Sequence, residues 1–160
     1  MLNEREIQTL IKVWFEKATR ERDPFSKFVF LWICFNAWLD HESGKETDRE
    51  MINWLINKSP QESDLKRIYL NLRESERFNE ALKILASMSP IYDSRDRRAA
   101  INIKDKNDFE NIVNAIYRIR CNLFHGGKEA HKSRDQKLII ISNEILLRWV
   151  GGLLASWIKH

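Results

Sequence analysis

The run Phe28–Leu39, Phe-Val-Phe-Leu-Trp-Ile-Cys-Phe-Asn-Ala-Trp-Leu, is apolar at every position except Asn36. A helix of that composition has no polar face to offer water, so it must be buried from several sides and the other elements must be built around it. The run is too short to cross a bilayer, which takes about 20 apolar residues. The sequence therefore predicts a central core helix over about Pro24 to His41. Asp23-Pro24 marks its start, with proline near the first turn, and Ser43-Gly44 its end. Asn36 must find a hydrogen-bond partner in a neighbouring backbone or line a pocket beside the functional residues.

Everything around this segment reads as amphipathic helix. Ile7, Leu10, Ile11, Trp14 and Ala18 share one face of a helix from roughly Asn3 to Glu21, and its other face is charged. Thr47-x-x-Glu50 forms a capping box for a short helix carrying Met51, Trp54 and Leu55. Ser59-Pro60-Gln61-Glu62 predicts a second box, opening a helix with Leu65, Ile68, Tyr69 and Leu72. Phe78, Ala81, Leu82 and Leu85 predict a further helix from about Glu76 to Ser87. These three short helices, about 47–88, read as one insert packed on the core, and their charged outer faces suit a partner. Only five glycines and three prolines interrupt the chain, while six tryptophans and eight phenylalanines favour a packed interior. The expected fold is all-α: an antiparallel bundle of four long core helices with a short-helix insert, in a single domain over 1–160.

The remaining segments are less uniform. Ser89 to Lys106 is the least regular stretch, and its Arg95, Arg97 and Arg98 form either a phosphate-contacting loop or, with Asp93 and Asp96 interspersed, a solvated one. Asn107 to Glu110 caps a helix that runs to His125. Lys128 to Lys137 is a polar, basic connection, and Gln136 to Lys159 forms the last long helix, on the period of Leu138, Ile145, Leu146, Trp149, Leu153 and Trp157. Gly151-Gly152 weakens this helix locally, which is offset if another helix approaches closely, either within the chain or across a dimer.

Met1 to Arg22 is charged throughout and reads as no signal peptide. No membrane association is expected, and Cys34 and Cys121, lacking any C-x-x-C or disulfide framework, read as reduced thiols in a cytoplasmic protein. His41, His125, His131 and His160 have no metal-ligand spacing, so neither a metal nor another cofactor is expected. Residues 91–137 hold eleven Lys/Arg against seven Asp/Glu, and the rest of the chain is balanced. The positive excess thus surrounds one stretch, Tyr117-Arg-Ile-Arg-Cys-Asn-Leu-Phe-His-Gly-Gly-Lys128.

Two residues of that stretch stand out. The apolar stripe of its helix runs Phe109, Ile112, Val113, Ile116 and Leu123, and at about 100° per residue Arg120 falls within it. A guanidinium stays charged and is costly to desolvate, so Arg120 must face a carboxylate, a cavity, a second subunit or an anionic ligand. His125 precedes Gly126-Gly127, where the helix should stop. On residue chemistry alone, Arg120 is as well explained by a salt bridge and His125 by a helix-end cap.

The Arg120-x4-His125 spacing, with Tyr117 one turn earlier and Gly-Gly-Lys128 after it, resembles the signature of HEPN domains. Phe28–Leu39, with its embedded Asn36, resembles the early core helix of that family. The chain departs from the pattern after the motif arginine, where a polar residue is common in the family. Here that place holds Cys121, with Asn122 next. The resemblance implies a metal-independent endoribonuclease in which Arg120 and His125 are catalytic, with Tyr117, Asn122, Lys128 and Asn36 as lesser candidates for substrate contact. It implies single-stranded RNA as substrate and 2′,3′-cyclic phosphate and 5′-hydroxyl ends as products. On an ideal helix the two catalytic side chains diverge by about 140°. Either the helix loosens at Phe124-His125, or a homodimer builds the site from two copies. A toxin or defence effector, held in check by an antitoxin or regulatory protein, is the expected setting. The alternative is a non-catalytic HEPN-like module that binds RNA or nucleotides or mediates protein assembly.

Overall fold

In a computed structural model, described over residues 2–125 and 133–158 and for Arg97 in its backbone only, the apolar run lies within α2, Pro24–Ser43. α1 (Glu4–Arg20) precedes it; α3 (Asp48–Asn57), α4 (Asp64–Leu72) and α5 (Glu76–Ser87) follow. A small hairpin, β1 (Ile91–Asp93) and β2 (Asp96–Ile101), leads into α6 (Phe109–His125) and α7 (Ser133–Ser156). The fold is all-α apart from that hairpin, and α1, α2, α6 and α7 are the four longest helices.

α2 is bounded by the predicted devices. The Asp23 carboxylate accepts from the Ser26 N–H (3.0 Å), Pro24 occupies the first turn, and Gly44 takes the left-handed conformation at φ 65°. Its buried side chains Phe28, Leu31, Trp32, Cys34, Phe35, Trp38 and Leu39 are approached by α1, α3 and α7. Burial pushes the Cys34 thiol up to about 12, and it donates weakly to the Ile11 carbonyl (3.5 Å). That thiol is therefore neutral and inert at ordinary pH.

α7 is the other axis of the core. Its Trp149 ring lies 4.8 Å from Phe35 and 4.9 Å from Tyr69, and its indole N–H donates to the Leu65 carbonyl at 2.8 Å. Two bulky helices come close where α7 carries glycines: a Cβ on Gly152 would sit 2.8 Å from Ile68 Cγ2, and one on Gly151 3.5 Å from Phe15 Cζ. The close approach that Gly151-Gly152 suggests is thus made within the chain, by α4 and α1. Among the described residues α7 is also the one helix long and apolar enough to cross a membrane, and its apolar side chains from Leu138 to Leu153 are largely buried in this core.

α3, α4 and α5 do more than lie on the core. Met51, Ile52, Leu55, Leu65, Ile68, Tyr69, Phe78, Ala81, Leu82 and Leu85 join the same continuous buried cluster as α2, α6 and α7. α3 bridges α2 and α6, while α4 and α5 pack on α7. The α4 start differs from the predicted box at Ser59–Glu62: the helix begins at Asp64 with Ser63 as N-cap. The reason is tertiary. Glu42 reaches from α2 to accept from Ser63 Oγ (2.9 Å) and from the N–H groups of Asp64 and Leu65, completing a cap that the local sequence does not contain. Burial raises the pKa of that carboxyl even against these donors.

The stretch predicted to be irregular forms the antiparallel hairpin, with Ile91 opposite Ile101 and Tyr92 opposite Ala100. Ile91 and Ile103 are buried, so one edge of the segment is anchored in the core. Polar side chains from elsewhere hold the rest. Asn122 and Arg118 of α6 and Arg134 of α7 bond its backbone at Tyr92, Ser94, Ala99 and Pro90. Arg95 and Arg98 meet Asp93 (3.9 Å) and Asp96 (3.3 Å) in exposed ion pairs.

Candidate functional site

α6 begins where the Asp108 carboxylate accepts from the N–H groups of Lys104 (3.0 Å) and Asn111 (3.4 Å). Burial works to raise its pKa, but the hydrogen bonds from Lys104 and Asn111 to the ionised form together outweigh it and leave the carboxyl below its ordinary value. The helix buries Ile112, Val113, Ala115, Ile116, Ile119 and Leu123. Arg120 lies at the edge of this stripe rather than within it, with a quarter of its side chain exposed. The carboxylate it requires is Asp48, at the first position of α3: Nη2 stands 3.6 Å from Oδ2.

Three further features define the Arg120 environment. Its guanidinium carbon lies 4.6 Å from the centre of the Phe124 ring, one turn onward on the same face. Nη1 stands 4.0 Å from the Cys121 sulfur. Nε is buried with no hydrogen-bond partner among the described residues. Among the described residues the head group is therefore anchored on one side by a longish ion pair while retaining unsatisfied donor capacity.

Tyr117 precedes Arg120 by one turn and is clamped between two partners. Trp32 of α2 stacks against its ring at 6.2 Å, and the Arg49 guanidinium of α3 lies over it at 4.9 Å. Arg49 also donates to Asn114 Oδ1 at 3.1 Å. Burial, then the neighbouring Cys121 thiol and Asp48 carboxylate, raise the Tyr117 hydroxyl above its ordinary pKa. That hydroxyl stays protonated at neutral pH, so it can donate a hydrogen bond but not act as a base. Asn36 lies one turn beyond Trp32 on α2, and its Oδ1 is buried with no partner among the described residues. Of the two settings open to Asn36, a backbone bond or a pocket-lining place, the first is not made through this oxygen among the described residues.

Asn122 has a different setting. Its Oδ1 accepts from the Ser94 N–H (2.9 Å) and its Nδ2 donates to the Tyr92 carbonyl (2.8 Å), which fastens the hairpin to α6. Both ends of the amide are occupied in a structural role. His125 is exposed, and α6 remains α-helical through it. The loosening that would turn His125 toward Arg120 does not occur, so the two side chains diverge by about 140° on one continuous helix. Lys128 lies outside the described residues, as do Gly126 and Gly127.

The structure thus gathers Arg120, Tyr117 and Phe124 on the α6 face that meets α3, places Asn122 against the hairpin, and leaves His125 exposed at the end of the helix. Asp48 and Arg49 are the residues of this region that sequence reasoning missed. One signal was available for each. Arg120 demanded a carboxylate, and Arg49 is a cation in the first turn of a helix, where the macrodipole favours acids. Among the described residues no three His, Cys, Asp or Glu side chains cluster as a metal site requires. Comparison with protein-family models, with curated proteins and with solved structures found no match.

Proposed function

We propose that this chain is a metal-independent endoribonuclease of the HEPN type, acting on single-stranded RNA through Arg120 and His125. The observation that carries the reading is the state of Arg120: a largely buried guanidinium that meets Asp48 of α3, keeps a buried Nε without a partner among the described residues, and lies on the same unbroken helix as the exposed His125. The divergence of the two side chains favours a composite site in which a homodimer brings two α6 ends together across a two-fold axis. One histidine then removes the proton from the ribose 2′-hydroxyl, and the 2′-oxygen attacks the adjacent phosphorus. The other protonates the departing 5′-oxygen. Arg120 balances charge on the phosphate oxygens as the crowded transition state forms. A 2′,3′-cyclic phosphate and a 5′-hydroxyl result. Such an enzyme suits a cytoplasmic toxin or defence effector, with an antitoxin or other regulatory protein as its partner.

The test is cleavage of end-labelled single-stranded RNA in excess EDTA by the wild type and by His125→Ala. Loss of an acid-base group predicts a fall of roughly 100-fold or more, with unchanged thermal melting because His125 is exposed. Equal cleavage by both proteins would remove His125 from the mechanism. A second reading, a non-catalytic assembly module, draws support from exposed Leu70 and Ile84 on the outer faces of α4 and α5. It predicts self-association or partner binding that survives His125→Ala, with no RNA product from either protein.

A further inference from the structure

We infer that Arg49 is a second phosphate-binding arginine of the same site, forming with Arg120 a two-guanidinium clamp along the Tyr117–Phe124 face of α6 for the backbone of single-stranded RNA. The inference rests on the ribonuclease reading for its substrate and on the α3–α6 junction for its geometry. Thr47 caps α3, its hydroxyl oxygen accepting from the Glu50 N–H at 3.2 Å, and this fixes the orientation of the next two residues. Asp48 then meets Arg120 and Arg49 meets Tyr117, so consecutive residues of one turn engage both ends of the motif face.

Arg49 is exposed and has no ion pair with any described carboxylate. Its fixed contacts are the Tyr117 ring at 4.9 Å and Asn114 Oδ1 at 3.1 Å. Those contacts orient the planar fork without neutralising it. A cation in the first turn of α3 also opposes the helix dipole, while Asp48 and Glu50 on either side of it follow the usual preference. Local helix stability therefore does not account for arginine at this position. The Arg49 guanidinium lies over the Tyr117 ring and that of Arg120 over the Phe124 ring, about 10 Å further along α6, so an anionic backbone running along this face would meet both, and each guanidinium can bond two phosphate oxygens.

The probe is a fluorescein-labelled single-stranded RNA with 2′-O-methyl riboses, which lack the nucleophile and so bind without being cleaved. Its affinity is measured by anisotropy over a range of salt for the wild type, Arg49→Gln and Arg49→Lys. Removing one phosphate contact to a single strand reduces the slope of log affinity against log salt by about 0.7. Arg49→Gln is expected to show that reduction with a roughly fivefold or greater loss of affinity at low salt. Arg49→Lys, which keeps the charge, is expected to retain the slope. A merely structural stacking role would leave the slope unmoved. Melting curves check each variant, and Arg49→Met, which keeps an unbranched stem on Tyr117, replaces the glutamine variant if that one does not fold. Unchanged affinity and slope in the neutral variant would overturn the inference, even with His125-dependent cleavage intact. A wild type that binds RNA with the Arg49-dependent slope but does not cleave would overturn the nuclease reading and leave the clamp standing. No RNA binding by the wild type would end both.

Discussion

The junction around Trp149 and the junction around Arg120 are both made where helices cross, but they are built on opposite terms. At Trp149 the fit is steric and apolar: the ring is packed among Phe35, Tyr69 and Phe109, its N–H is bonded, and the neighbouring glycine admits Ile68. At Arg120 the contacts are charged, a quarter to a third exposed and incompletely satisfied, with an ion pair of 3.6 Å and a buried Nε that has no partner among the described residues. The first arrangement holds the helices together; the second holds charged groups in place at modest stability. The contrast separates residues whose loss should unfold the chain from residues whose loss should silence it.

The largest expected effect is Trp149→Ala. Removing a fully buried indole costs about 3–5 kcal/mol through lost burial and the remaining cavity. A urea unfolding midpoint close to that of the wild type would show that the Trp149 junction is not the structural centre, and the comparison would fail.

Gly152→Ala comes next. Alanine improves helix propensity by up to about 1 kcal/mol, but its methyl would lie 2.8 Å from Ile68 Cγ2, and overpacking of that kind costs about 1–3 kcal/mol. The γ-methyl of a β-branched side chain on a packed helix has little room to yield, so net destabilisation of about 1 kcal/mol is expected. A raised melting temperature would show that α4 can give way, and that the glycine answers something other than close approach.

The two junctions also differ in how far the sequence reveals them. Phe28–Leu39 announces a buried axis by itself, because no rearrangement can give that run a polar face. Trp149 and the Gly151-Gly152 pair follow from periodicity and from the poor propensity of glycine in a helix. The α4 start was misplaced because half its cap, Glu42, comes from α2, and the hairpin was read as loop because the groups satisfying its backbone, Asn122, Arg118 and Arg134, lie distant in sequence. The Arg120 junction was legible as a demand, an arginine in need of a carboxylate. The identity of the supplier depended on how α3 is set against α6, which no local pattern encodes. Asn122 shows the converse: sequence proximity to the motif suggested substrate contact, while its amide is engaged by the hairpin.

Arg120→Ala sharpens the comparison most finely, because its expected effect on stability is small. The ion pair it removes is about a quarter to a third exposed, which limits its worth to roughly 0–1 kcal/mol, and the stacking on Phe124 adds about 0.5–1 kcal/mol. Against these losses, the substitution also removes a buried donor that has no partner, and burying such a group carries a cost of its own. Asp48, nearly a third exposed, is left with water to solvate it. The sum is a net destabilisation of about 1 kcal/mol or less, a shift of roughly 2–4 °C in melting temperature for a chain of this size. Melting and RNA cleavage measured on the same preparation then give separate readings: a nearly unchanged transition with lost cleavage assigns the guanidinium to the substrate. A collapse comparable to that of Trp149→Ala would make Arg120 a structural tie between α3 and α6, and the distinction between the two junctions would disappear.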